Sequence, residues 1–243
     1  MIFSRIIKKI FSKLGLTISR KSSHLLSTSD SWVEQLIWLR RYEIRQIIDV
    51  GANTGQFANK IKGLFPEAII ICFEPIPKVF DILKTCVQCN NAQFFNTALG
   101  SEKGKSQIFL NEYSPSSSLL EMDKLHKEAF GFAVKQKLID IEVDLLDNYS
   151  YLIDDNRNLL VKIDVQGFEK QVIEGGKNVL SKAIMIIVEI SYEPLYLGQP
   201  TFKDIYDELY NLGFEFHGNI EYLKNPKDFS ILQSDALFIK RSK

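Results

Sequence analysis

Several things are scarce in this 243-residue chain, and each shortage excludes something. No apolar run reaches the roughly 18 residues that a membrane-spanning helix needs. Cysteine occurs only three times, at Cys72, Cys86 and Cys89. An odd, small number argues against a disulfide-built scaffold and fits a reducing compartment. Cys86 and Cys89 have the C-x-x-C spacing, but no second pair accompanies them and the three histidines are scattered. Buried free thiols are therefore expected rather than a zinc or redox site. There is also no excess of charge: 30 basic residues balance 30 acidic ones, so nothing global asks for a nucleic-acid partner.

The most local absence is of acids. Residues 1–29 hold Arg5, Lys8, Lys9, Lys13, Arg20 and Lys21 and not one Asp or Glu. The remainder has 24 basic and 30 acidic residues, a net −6. Ile2, Phe3, Ile6, Ile7, Ile10 and Leu14 recur between the early charges at helical spacing. The pattern predicts a basic amphipathic arm over residues 1–28, followed by one domain over 29–243. Basic residues interrupt the apolar stretch throughout, unlike a secretory signal. The expected location is the cytoplasm, with peripheral membrane contact through residues 1–22 at the inner surface. The alternative is an arm that packs on its own domain.

What is present is a regular alternation of strands and helices. A capping pair, Ser31 and Glu34, predicts a helix to about Tyr42. Strands are expected at 46–50, 69–73, 93–99, 106–110, 139–143, 159–165, 183–190, 214–217 and 236–240. Helices are expected at about 55–64, 77–87, from just after 165 to 180, and 202–212. Continuous apolar strands such as Ile69–Phe73 suit a parallel sheet covered on both faces. The alternation predicts an α/β fold with a doubly wound, mostly parallel sheet.

The stretch "IIDVGANTGQFA" (47–58) is a strand, a small-residue turn and a helix start. A dinucleotide fingerprint places its second and third glycines two and five residues after the first. Counted from Gly51, those positions hold Asn53 and Gln56, and the next glycine is Gly55. The glycine that admits a pyrophosphate is missing, which removes the case for an NAD-dependent oxidoreductase. Asp49 points the same way. A carboxylate repels a phosphate but attracts a sulfonium or an ammonium, and S-adenosylmethionine carries both cations without a phosphate. Glu74 lies 23 residues beyond Gly51, where an acid accepts hydrogen bonds from ribose hydroxyls.

Six stretches occur in an order that resembles the FkbM-type methyltransferases. They are "DVGANTGQFA" (49–58), "FEPIP" (73–77), "TALG" (97–100), "SSSLL" (116–120), "LVKIDVQGFEKQVIEGG" (160–176) and "VEISYEPLYLGQPTF" (188–202). The resemblance covers about residues 45–240. It implies a class I Rossmann-like methyltransferase with an antiparallel C-terminal strand, using S-adenosylmethionine for O-methylation of a sugar, glycan or natural-product hydroxyl. The implied cofactor contacts are Asp49, Gly51, Asn53, Gly55, Glu74, Pro75, Ala98 and Leu99.

Methyl transfer to an alcohol also requires removal of a proton. Ligands in open parallel sheets bind outside the carboxyl ends of the strands. With Asp49 and Glu74 assigned to the cofactor, the acids expected there are Asp164 and Glu189, as base and orienter. Carboxylates at strand ends also suit Mg²⁺, although a metal is not the favoured assignment. The structural alternative is that Asp164 merely pairs with Lys162. Glu169 reads as a first-turn acid favoured by the helix dipole. Ser117, Tyr192 and Tyr196 are candidates for the acceptor wall, the tyrosines because an aromatic ring suits a sugar. A nucleic-acid methyltransferase would share the cofactor but should show a basic domain, not one at net −6. A non-catalytic binding protein would have little reason to keep Asp49, Gly51, Glu74 and Asp164 together.

Overall fold

The structure is a computed structural model and describes residues 28–87, 89, 91–111, 119, 136–193 and 195–241. The amino-terminal arm and Ser117 lie outside the described residues. Helix α1 spans Thr28–Leu36, three residues ahead of the expected start, and continues as a 3₁₀ turn over Ile37–Tyr42.

Strands β1 (Ile44–Val50), β2 (Ile69–Phe73) and β3 (Ala92–Phe95) alternate with helices α2 (Gln56–Lys62) and α3 (Pro77–Cys86). Short β4 (Ala98–Leu99) then leads to β5 (Gly104–Asn111) and β6 (Gln136–Asp144). Strand β7 (Asn158–Ile163) is followed by helices α4 (Glu169–Glu174) and α5 (Lys177–Lys182), then β8 (Ala183–Ser191) and α6 (Phe202–Asn211). The chain closes with β9 (Phe214–Lys224) and β10 (Ile231–Lys240).

The main sheet has the order β3-β2-β1-β7-β8-β10-β9. Only β10 runs against its neighbours, so the fold is the expected doubly wound, mostly parallel sheet with an antiparallel C-terminal strand. Both faces are apolar because both are covered. Ile48, Val50, Val161, Ile163 and Val188 belong to one core with Val172, Leu180 and Leu209 from α4, α5 and α6. Ile47, Leu160 and Ile187 belong to the other with Leu36, Ala58 and Leu83 from α1, α2 and α3. Burial of this kind contributes about 25 cal/mol per Å² of apolar surface removed from water.

Four local expectations are corrected. The single strand at 93–99 is two strands in different sheets, because β4 joins β6 and β5 in a separate three-stranded sheet. Between them the Asn96 amide donates to the carbonyls of Glu74 and Pro75, turning the chain away from β2. The helix expected to reach Leu180 breaks at Gly175-Gly176. A Cβ on Gly175 would lie 1.9 Å from the Gly100 carbonyl oxygen, so a close backbone crossing interrupts it. Strand β9 extends seven residues past its expected end, to Lys224, because it pairs with β10 along that length. Cys86, expected to be buried, is exposed at the end of α3; Cys72 is buried, and all three cysteines are free.

The strand order changes direction between β1 and β7. At such a switch point neighbouring connections leave on opposite faces and open a crevice at the carboxyl ends of the strands. The site lies in that crevice.

Candidate functional site

The turn after β1 is held by its own backbone. The N–H groups of Gly51 and Ala52 both donate to the Phe73 carbonyl at 3.0 Å, and Asp164 N–H donates to the Val50 carbonyl at 3.0 Å. These bonds bring the ends of β1, β2 and β7 together. Gly51 has φ +81°, and a Cβ there would stand 1.9 Å from the Asp164 carbonyl oxygen. The glycine is required by the passage of β7 beside it. Gly55, at φ +88°, leaves room for Val87, 2.3 Å from where its Cβ would be. Gly55 packs against the end of α3 and is not part of the cavity wall.

A cavity of about 540 Å³ opens above these strand ends. Of the expected cofactor residues, Asp49, Gly51, Asn53, Glu74, Pro75, Ala98 and Leu99 line it. Glu74 is buried and accepts from Asn53 N–H and Ile76 N–H, both at 2.9 Å. Asn53 adopts a left-handed φ of 49°, which aims its N–H at Glu74. Burial pushes the Glu74 carboxyl up to about 7, against those two backbone bonds. Asp49 is 1% exposed, and its Oδ2 has no hydrogen-bond partner. Burial also raises Asp49 to about 7, opposed by the Lys162 cation and reinforced by Asp164 and Glu74. A buried carboxylate oxygen without a partner is costly unless a cation or donor meets it. This orphaned acid beside Glu74 fits a cationic ligand that also carries hydroxyls, as S-adenosylmethionine does.

The other end of the cavity is a polar network spread over β7, β8 and β10. Asp164 lies one residue beyond the end of β7, and Glu189 is on β8. The Gln166 side-chain amide joins them, donating to Asp164 Oδ1 at 2.9 Å and Glu189 Oε2 at 2.8 Å. Gln166 itself sits at φ +55°. Tyr196 donates its hydroxyl to Gln166 Oε1 at 2.8 Å. Gln233 donates to the same Glu189 oxygen at 2.8 Å. Lys162, only 3% exposed, contacts Asp235 at 2.6 Å and Asp164 at 3.4 Å. The Lys162–Asp164 pair is thus present, but Asp235 is the nearer partner.

Burial, with repulsion from Asp164 and Glu169, holds the Glu189 carboxyl well above the usual carboxylate range. Burial works to lower the Lys162 ammonium, yet its acidic neighbours leave it above the ordinary lysine value. Glu169 has a further use besides opening α4: its Oε1 accepts from Val165 N–H and Gly167 N–H, folding the loop that presents Gln166.

The tyrosines divide. Tyr196 is fully buried and stands behind Gln166, outside the cavity wall. Tyr192 is exposed and also outside the wall, sharing a 3.0 Å hydrogen bond with the wall residue Ser234. In sequence Lys162 signals only a structural partner for Asp164, and Gln166, Gln233 and Asp235 carry no signal as site residues. Gln166 lies inside a quoted motif, whereas Gln233 and Asp235 reach the site only because β10 pairs with β8.

A family model, Methyltransferase FkbM domain, matches residues 49–216, more than half of the chain. The chain belongs to that family. It is an S-adenosylmethionine-dependent methyltransferase. This methyltransferase is similar to the 2-O-methyltransferase NoeI of Sinorhizobium fredii (strain NBRC 101917 / NGR234), 28% identical over 194 residues, covering 74% of this chain and 79% of that protein. It is also similar to methyltransferase sdnD of Sordaria araneosa, 30% identical over 175 residues, covering 61% of this chain and 66% of that one. Among solved structures, magnesium protoporphyrin IX methyltransferase (ChlM) from Synechocystis PCC 6803 with bound SAM overlays with a TM-score of 0.49 at 12% identity, covering 98% of this chain and 96% of that one. No helix among the methyltransferase's described residues is long and apolar enough to cross a membrane. No three of its described His, Cys, Asp or Glu side chains gather as a metal-binding group.

Proposed function

We propose that this methyltransferase methylates a hydroxyl group of a sugar, glycan or natural-product acceptor. The observation that carries the reading is the Gln166 amide holding Asp164 and Glu189 together in the same cavity as Asp49 and Glu74. The similarity to the 2-O-methyltransferase NoeI supports oxygen as the acceptor atom. When bound, S-adenosylmethionine supplies a methyl group on a sulfonium, already a strong electrophile.

The chain's own residues do the rest. Asp49, buried in the cavity wall, acts on the cofactor's positive charge through space, and Glu74 accepts from the ribose hydroxyls with the lone pairs left by its two backbone bonds. Gly51, Asn53 and Pro75 form the adjacent wall, and Ala98 and Leu99 close it with apolar surface. Asp164 is the base. Lys162 and Gln166 each occupy one of its oxygens, orienting the carboxylate, and each oxygen retains a lone pair for the acceptor proton. The side chain is 34% exposed, so the proton can pass on to solvent. Glu189, with its carboxyl pushed upward, orients the acceptor through a hydrogen bond. Alignment of the reacting groups supplies much of the remaining rate.

A labelled-methyl assay over neutral glycosides, oligosaccharides and polyols tests this reading. Asp164→Asn keeps the shape and removes the base, and the expected loss is about 10²–10⁴ in rate, with cofactor affinity changed far less. Near-normal turnover in that variant refutes the base assignment. Activity abolished by EDTA and restored by Mg²⁺ would replace the base with a metal held by Asp164 and Glu189.

The acid-free basic stretch over residues 1–29 supports a second reading, about place. Residues 1–22 hold the enzyme, as a single domain over 29–243, at the anionic cytoplasmic face of a membrane. Each basic residue near such a surface contributes about 1 kcal/mol. Deleting residues 1–22 should abolish binding to anionic vesicles at low salt; full-length protein that ignores them rejects the reading.

A further inference from the structure

The charges of the cavity restrict the acceptor more narrowly than the fold does. Among the described residues, six carboxylates line it: Asp49, Glu74, Asp164, Glu189, Glu221 and Asp235. Only two cations do, Lys60 and Lys162, and both are already engaged. Lys162 is clamped between Asp235 and Asp164. Lys60, on α2, reaches both oxygens of Glu221 on β9 at 3.0 and 3.2 Å, spanning the mouth.

Phosphate recognition relies on a cation or on a cluster of backbone donors. At the acceptor end the side-chain N–H groups of Gln166 and Gln233 are turned onto Glu189. A phosphate would face the carboxyl groups of Asp164 and Glu189 there, whose mutual repulsion, with burial, already holds the Glu189 carboxyl above the usual carboxylate range. A neutral polyol meets none of these penalties, because its hydroxyls donate to carboxylates. The rim beside Gln233 and Ser234 is apolar, formed by Tyr222 and Leu223. Such a surface suits the C–H face of a ring better than an ionic group.

We infer that the acceptor is a neutral polyhydroxyl ring with no phosphate or carboxylate near the reacting hydroxyl: a glycoside rather than a sugar phosphate or a nucleotide-activated sugar. The inference rests on the hydroxyl-methylation reading and narrows it.

Matched pairs test it. Labelled-methyl transfer is measured for simple alkyl glycosides and for the corresponding sugar 1-phosphates, with cofactor binding followed by calorimetry. The neutral member of a productive pair should be favoured by about tenfold or more in kcat/KM, the effect of one poorly screened like-charge contact. Added salt should narrow the gap. Glu221→Gln releases Lys60 at the mouth and should reduce the preference about threefold; an unchanged preference counts against the charge inference. Equal or better transfer to the phosphorylated member overturns the charge inference and leaves hydroxyl methylation standing. No transfer to any member, with cofactor binding intact, overturns the sugar reading and this inference together.

Discussion

The two ends of the cavity are built in different ways. At the cofactor end, Asp49, Gly51 and Asn53 come from five consecutive residues, and Glu74 joins them from the neighbouring parallel strand. Backbone N–H groups satisfy Glu74, and positive φ angles at Gly51 and Asn53 shape the turn. The acceptor end is assembled from Lys162, Asp164 and Gln166 near β7, Glu189 on β8, and Gln233 and Asp235 on β10. There, side chains satisfy side chains, and exchanging one partner disturbs all the others. A locally encoded end tolerates sequence change outside its motif, whereas a network assembled across strands depends on register.

The sharpest way to break the contrast is Gly51→Ala. If the glycine serves the joint between the two ends, the added Cβ meets the Asp164 carbonyl oxygen, and both ends suffer. Strain and overpacking should together cost roughly 2–5 kcal/mol of stability, read by denaturant unfolding. A folded variant that merely binds cofactor less well would mean that the glycine serves the ligand alone.

Glu74→Ala probes the cofactor end by itself. Loss of a charged hydrogen-bonding group should weaken S-adenosylmethionine by about 1.5–3 kcal/mol, measured by calorimetry. The Gln166-centred network should be untouched, so the acceptor KM should hold.

Titration shows what the two ends share. Asp49, Glu74 and Glu169 rise from 3.8, 4.5 and 4.5 to about 7 on folding. The folded protein therefore binds their protons more tightly than the unfolded chain does. The stability these groups contribute should be full below their unfolded values of 3.8 and 4.5 and should be lost as pH rises through about 7. A cationic cofactor favours the ionised forms, so its stabilising effect should grow over the same interval. Thermal unfolding from pH 5 to 8, with and without S-adenosylhomocysteine or S-adenosylmethionine, checks both slopes. Only the sulfonium should show the larger growth.

The smallest expected effect is that of Tyr196→Phe. Its hydroxyl supports Gln166 from behind the wall. Removing it should cost about 0.5–1.5 kcal/mol, seen mainly as reduced kcat with cofactor affinity unchanged. A change in acceptor selectivity instead would return Tyr196 to the acceptor wall.

The legible parts of the sequence were those in which one local signal had one meaning. Ile69–Phe73 forms a strand over just those residues because both its faces are covered. Pro77 opens α3 where a proline costs no hydrogen bond. The break in the helix beyond Asp164 is not legible, because Gly175 and Gly176 respond to Gly100 and Leu146, neither of them a sequence neighbour. The division of the strand at 93–99 is not legible, because Asn96 bonds to carbonyls about twenty residues earlier.

By itself the sequence determined the α/β alternation, the family motifs, and the acids at the ends of β1, β2 and β8 and just beyond β7. Those follow from short-range rules: the two-residue period of strands, the demands of tight turns, and the charge a cofactor requires. Only the tertiary structure decided that Gln166 joins Asp164 to Glu189, that Asp235 holds Lys162, and that Gly51 yields to the backbone of β7. These depend on strand order and register, in which residues as far apart as Lys60 and Glu221, 161 positions, come within hydrogen-bond distance. A hydrogen bond forms across a few ångströms of space, and sequence separation leaves no trace of that distance until the sheet is assembled.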